Sequence, residues 1–210
     1  MSRIVLVGGG GLAKEVLDLA RMAGHSVVGY MAPQQTALPV PYWGSQPDWA
    51  ARHAEFDGLT LAFGALGRPQ ILARAAVIAD MQCKGLAGIS IVSPHALVCS
   101  GAVVGDGSVV AHHVILAVDS VVGAHCMLNN AAQLGHDAVL QANVTLAPMA
   151  FVAGAVQVGE NSLVGPGAIV LQGLRVGAGS VIGAGCTVLR EVPAGSTVLP
   201  VASRVLQTGD

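Results

Sequence analysis

The sequence predicts an α/β N-terminal unit of Rossmann-like type followed by an all-β parallel β-helix. Three observations predict it. Short apolar runs, glycine turns and helical spacing alternate over the first 88 residues. From Val92 an aliphatic residue then recurs every six positions, seventeen times without a break, to Val188. Aromatics make up only 3% of the chain, while glycine fills 28 positions. A period of six is neither helical nor that of a single strand. A core of repeated Val, Leu, Ile and Ala layers does not need the large rings that ordinary globular cores use.

Ile4–Val7 is an apolar run suited to a buried parallel strand, and Gly8–Gly11 follow it. Leu12–Ala23 has helical spacing, with Val16, Leu17, Leu19, Ala20 and Ala23 available for one buried face and Gly24 as a stop. Ser26–Tyr30 reads as a second strand, and residues 31–48, rich in Pro and Gln, as a loop. Leu59–Phe63 reads as a third strand ending at Gly64, and Pro69–Met81 as a second helix. Strand, glycine turn, helix and strand together suggest a small Rossmann-like domain over residues 1–88.

In the repeats, a second series of small or aliphatic residues runs four positions behind the first, from Ala96 and Ala102 to Val192. Three hexapeptides close one triangular coil, so each aliphatic stacks on its equivalent eighteen residues later, one strand spacing (roughly 4.8 Å) away. Gly, Asn and Asp are expected at the corners, as at Asp106-Gly107, Glu160-Asn161 and Ala178-Gly179, because they tolerate positive φ. The β-helix is expected over residues 89–192, with a C-terminal cap over 193–210 after Pro193.

The net charge is −2 and no Lys/Arg run occurs, which argues against nucleic acid or a charged membrane surface as partner. No stretch of about 18 apolar residues suggests a membrane helix, and the first residues turn glycine-rich too soon for a signal peptide. A cytoplasmic protein is expected. Cys83, Cys99, Cys126 and Cys186 form no CxxC pair and read as buried reduced thiols.

Two stretches carry candidate chemistry. Gly8–Gly11, between strand and helix, either merely lets the turn fit or offers backbone N–H groups to a bound acceptor. The acidic residue that a dinucleotide site would place about 20 positions on is absent, since Gly29-Tyr30-Met31-Ala32 occupy that end. Asn129-Asn130 and Gly135-His136-Asp137 interrupt the repeat with polar groups. An imidazole suits a general base at neutral pH, and a neighbouring carboxylate can orient it, though adjacent side chains can also diverge. His95 and His113, eighteen apart, stack on adjacent coils, as do His112 and Asn130. The hexapeptide-repeat carbonic anhydrases hold a metal between subunits with two histidines five apart plus a third; this chain does not resemble them there, since no two of its histidines are five apart, and no metal site is expected.

Ile4–Gly11 with Lys14-Glu15-Val16, Phe63-Gly64, Ser93–Ala96, Leu128-Asn129, Gly135-His136-Asp137, Ala153-Gly154 and Gly183-Ala184-Gly185 together resemble the sialic-acid O-acetyltransferase-like sugar N- and O-acetyltransferases. The resemblance covers nearly the whole chain. It implies a left-handed β-helix, a homotrimer, and acetyl-CoA as co-substrate in a groove between prisms. It implies His136 as general base with Asp137 assisting. It implies Asn129, Gly10, Gly11, Leu12, Met31, Ala32 and Gly64 around the acceptor, and Thr145, Gly154, Pro166 and Ala184 near the coenzyme. The chain departs from the family pattern at Leu12, where a histidine is common, at Met31-Ala32, where acids are common, and at Ala65, where Asn is common. The implied activity is direct acetyl transfer to the amino group of a sugar-like acceptor, an amino sugar either free or nucleotide-linked. O-acetylation of a sialic acid or another small hydroxyl compound, and a non-catalytic trimeric scaffold, are the alternatives.

Overall fold

The computed structural model describes residues 1–46 and 48–201. The N-terminal part runs β1 (Arg3–Val7), α1 (Gly11–Met22), β2 (Ser26–Met31), α2 (Trp49–Arg52), β3 (Gly58–Leu61) and α3 (Arg68–Cys83). Its strands pair in parallel in the order β2-β1-β3. Ile4 to Val7 are buried, as a central parallel strand requires. α1 buries Ala13, Val16, Leu17, Leu19 and Ala20, while Ala23 is its C-cap and Gly24 follows with φ +80°.

The strand and helix limits differ a little from expectation. β3 stops at Leu61, two residues early, because the Ala62 N–H still reaches Val7 O but the chain then turns away toward the β-helix. α3 is longer than expected at both ends, and a short α2 interrupts the 31–58 connection. Asp48 caps α2 by accepting the Ala51 N–H at 3.1 Å.

From Ile91 the chain winds a parallel β-solenoid of about six turns, of the left-handed type. Eighteen two-residue strands, β4 (Ile91–Val92) through β21 (Thr197–Val198), form three parallel sheets of seven, six and five strands. Most strands pair with the one eighteen residues on, as Met127-Leu128 do with Thr145-Leu146. The expected aliphatic series is buried from Val110 to Val188, and most of the second series is buried with it. Val92, Val98 and Val104 are only partly covered, because they form the first coil and all three sheets end there.

The expected Gly, Asn or Asp stands at ten of the fifteen positive-φ corners, Gly107, Asn161 and Gly179 among them, and five corners depart from it. Positive φ recurs every six residues from Gly101 to Gly185, and nine of these positions are not glycine: His113, Asp119, His125, Ala131, Asp137, Asn143, Met149, Ala155 and Asn161. An L-residue there costs roughly 1 kcal/mol. Each of these corners is held because its N–H donates to a carbonyl of the preceding coil, as Ala131 does to His112 O (2.9 Å) and Met149 to Asn130 O (3.1 Å). Only Cys126 and Cys186 are buried as expected. Cys99 is half-buried, and Cys83 is exposed at the end of α3.

The α/β part sits over the seven-stranded sheet. Ala65 and Ile71 pack against Ala147 and Leu163, and the Arg68 guanidinium donates to Gly195 O at 2.6 Å. After Pro193 the chain still contributes β21, which pairs with Val181-Ile182. Residues 202–210 of the expected cap lie outside the described residues. Among the described residues no helix is long and apolar enough to cross a membrane.

Candidate active site

The end of β1 feeds directly into α1 through Gly8, Gly9 and Gly10. Gly8 has φ +130°, and a Cβ there would lie 2.8 Å from Ala62 O, so only glycine fits between the strands. Gly10 is the N-cap of α1 and supplies no capping side chain. The first turn carries no acid. A Cβ on Gly10 or Gly11 would meet nothing. The first turn of α1 therefore borders open space, at the positive end of the helix dipole.

That space is a cavity of about 430 Å³ between the two parts of the chain. Gly10, Gly11 and Leu12 line one side, Phe63 and Gly64 just past β3 another, and Asn129 and Pro166 the solenoid side. Six residues expected to bind substrate or coenzyme thus come together. Met31 and Ala32 do not join them. They line a second cavity of about 510 Å³ with Gly8, Phe63 and Val77, on the other side of the glycine turn. Among the described residues no charged side chain lines this second cavity. Phe63 lines both.

His136 and Asp137 lie elsewhere. They follow β11 (Gln133–Leu134), at the corner between the six- and five-stranded sheets. Asn129 follows β10 (Met127–Leu128), at the corner before β11. One side of the triangular prism therefore separates the histidine from the 430 Å³ cavity of its own chain. The two side chains do not diverge: His136 Nδ1 lies 2.7 Å from Asp137 Oδ2, and the side chains are 58% and 63% exposed. A carboxylate only accepts, so the shared hydrogen sits on Nδ1 and the Nε2 lone pair of the neutral ring is free. One coil below, Gly154 carries no side chain under the ring. A Cβ there would collide with His136 Nε2.

The positions expected near the coenzyme are spread over three places. Pro166 and Ala184 are stacked neighbours on the corner that bears Asn129, where the Gly185 N–H donates to Pro166 O at 2.9 Å. Gly154 lies under His136. Thr145 is 1% exposed, on the sheet facing the α/β part, and its hydroxyl has no partner. The rings of His95, His112 and His113 lie 5.7–6.4 Å apart. His112 Nδ1 is engaged by Ser93 Oγ at 2.8 Å. Among the described residues no group of three His, Cys, Asp or Glu is placed to hold a metal. Burial pushes the Cys126 thiol up to about 11, which leaves it a poor nucleophile.

Sequence reasoning missed Phe63 as a shared wall, and it missed Arg74 altogether. Arg74 is 1% exposed on α3. The signal was present: Ile71, Arg74, Ile78 and Met81 share one helical face. A charged residue on an apolar stripe marks a buried polar contact.

Residues 155–190 match the family model for the bacterial transferase hexapeptide (six repeats). No curated protein matches. A solved structure of a histidine variant of perosamine N-acetyltransferase from Caulobacter crescentus, in complex with CoA and GDP-perosamine, is 30% identical. The alignment covers 93% of this chain and 92% of that one, with a TM-score of 0.84. The acetyltransferase domain of PglB from Neisseria gonorrhoeae, in complex with acetyl coenzyme A, is 27% identical over 93% and 94%, with a TM-score of 0.82. WeeI from Acinetobacter baumannii shares the fold, at 23% identity over 97% and 99% and a TM-score of 0.79.

Proposed function

The chain belongs to the hexapeptide-repeat sugar acetyltransferases, and from that premise we propose that it moves an acetyl group from acetyl-CoA to the amino group of an amino sugar, with His136 as general base. The observation that carries this reading is the His136–Asp137 pair, with its ordered ring and free Nε2.

Acetyl-CoA supplies a thioester carbonyl that the acceptor nitrogen attacks and a thiol that leaves. The chain's residues do the rest. His136 Nε2 takes the proton the amine sheds as the C–N bond forms, and returns it to the departing sulfur. Asp137 holds the ring and offsets the charge it gains. No covalent enzyme intermediate is needed. The coenzyme fits the Pro166–Ala184 corner, where open space stands over Gly167 and Gly185 and leaves the main chain accessible.

The acceptor fits the 430 Å³ cavity, with its sugar against Asn129 and Gly64 and any anionic group on the α1 N-terminus. Since His136 is absent from that cavity, a neighbouring subunit is proposed to bring its own His136 to it, in a homotrimer. The apolar side chains exposed on the outer sheets, among them Val103, Phe151 and Ile169, support such packing. In this reading residues 1–88 are a Rossmann-like acceptor module, 89–192 the catalytic solenoid, and 193–210 a cap.

The test is thiol release from acetyl-CoA against a panel of amino sugars, free and nucleotide-linked, with mass spectrometry locating the new acetyl group. An N-acetyl product is expected. An acetyl ester on a hydroxyl makes the chain an O-acetyltransferase. Coenzyme binding without turnover on any acceptor removes the catalytic reading.

A further inference from the structure

The side chain of Arg74 lies at the seam between the two parts of the chain. Its Nε donates to Asn143 Oδ1 at 2.9 Å, its Nη2 to His125 O at 2.6 Å, and its Nη1 to Phe63 O. Its guanidinium carbon stands 5.6 Å from the centre of the Phe63 ring. Asn143 extends the set by donating to Asn161 Oδ1 at 2.8 Å. Two of the three direct acceptors belong to solenoid corners, and the third to the strand end that walls both cavities.

No carboxylate takes part. A guanidinium buried among neutral acceptors is costly, so burial draws Arg74 down to about 10. An apolar residue of similar length would anchor α3 with less desolvation. What arginine adds is a planar fork that holds three acceptors from three segments in one geometry. The segment held is Phe63, and Gly64, Ala65 and Leu66 follow it along the 430 Å³ cavity.

We propose that Arg74 is a positioning residue that fixes the acceptor side of the active site on the solenoid, by clamping the Phe63 carbonyl to the corners at His125 and Asn143. It touches no substrate itself, and the proposal rests on the acceptor assignment made above. Loosening the clamp moves the acceptor cavity relative to the prism and leaves the Pro166–Ala184 corner untouched.

The test compares the parent chain with Arg74→Met and Arg74→Lys, by steady-state kinetics with each substrate varied and by hydrogen–deuterium exchange over residues 60–67. In Arg74→Met, exchange in that segment is expected to rise and kcat/KM for the acceptor to fall roughly tenfold or more, while KM for acetyl-CoA stays within about twofold. Arg74→Lys, which keeps the charge but lacks the fork, is expected to show the same split with a smaller loss, and it serves as the reporter if Arg74→Met does not fold. Unchanged exchange overturns the proposal. So does raised exchange with unchanged acceptor kinetics, or an equal loss for both substrates. A parent chain that acetylates no amino sugar overturns the acceptor assignment and this proposal together, whereas failure of the split in an active parent overturns the proposal alone.

Discussion

His136 and Asp137 follow one another in the chain and still meet side chain to side chain, with Nδ1 2.7 Å from Oδ2. Consecutive side chains on a strand point apart. Here the pair turns a prism corner, and Asp137 has φ +57°, which folds its carboxylate back toward the ring. His136→Ala is expected to lower kcat by roughly 10²–10⁴, the usual size of a general-base contribution, with little change in coenzyme affinity. Asp137→Asn is expected to lower kcat less. Turnover by His136→Ala at about the parent rate removes the residue from the mechanism.

Gly154 lies where any side chain would strike the His136 ring. Gly154→Ala is therefore expected to displace the imidazole and cost kcat on the order of 10²-fold, since misplacement by about 1 Å has that effect. Titration with CoA separates two roles. Unchanged affinity means that Gly154 only makes room for the histidine, and weakened affinity places the coenzyme on it as well.

A site shared between subunits predicts complementation. Gly11→Trp should fill the 430 Å³ cavity, and His136→Ala removes the base, so each variant alone should be nearly inactive. Mixed trimers reassembled from equal amounts should recover about a quarter of the parent activity, because cavity and histidine then come from different chains. No recovery, or a monomer by light scattering, ends the inter-subunit reading.

Met31 and Ala32 line a cavity without a charged side chain, and Leu12 lines the other. None of these side chains can hydrogen-bond a nucleotide base or a sugar hydroxyl, and each polar ligand group left unpaired costs on the order of 1–3 kcal/mol. Weak binding of a UDP-amino sugar is expected, with preference for a less polar or differently activated acceptor. Leu12→His and Ala32→Asp should tighten it. Calorimetry showing micromolar affinity in the parent, with no gain from Leu12→His, makes those substitutions neutral.

His125 sits against Gly88 and Gly107 with its Nδ1 unpartnered. Burial first, and then the Arg74 charge, hold it below its ordinary value of 6.5. The folded chain thus keeps the ring neutral where the unfolded chain protonates it. Stability is intact above the unfolded value and is lost as pH falls below it. Urea midpoints should drop between about pH 7.5 and pH 5.5, and His125→Phe should flatten that slope. His25, also lowered by burial, acts with the same sign. A slope that survives the substitution assigns the effect elsewhere.

The sequence alone determined the repeat, its burial pattern and the polar residues that break it. Period six forces equivalent side chains into register eighteen residues apart, so Val110 to Val188 could be placed inside the prism with no contact known. It likewise marked Gly10 and Gly11 as a turn between strand and helix, and Asn129 and His136 as polar breaks in the repeat. It could not say which of them meet. Asn129 and Gly64 are 65 positions apart and share a cavity, whereas Asn129 and His136 are seven apart and stand on different corners. That outcome depends on how the α/β part is seated over one sheet, and the seating rests on long-range contacts such as Arg74 with His125 and Asn143. The helical stripe of α3 marks Arg74 as buried but not what it meets, because each such contact is made once. Only the tertiary structure decided them, and with them the wall at Phe63 and the separation of base from cavity.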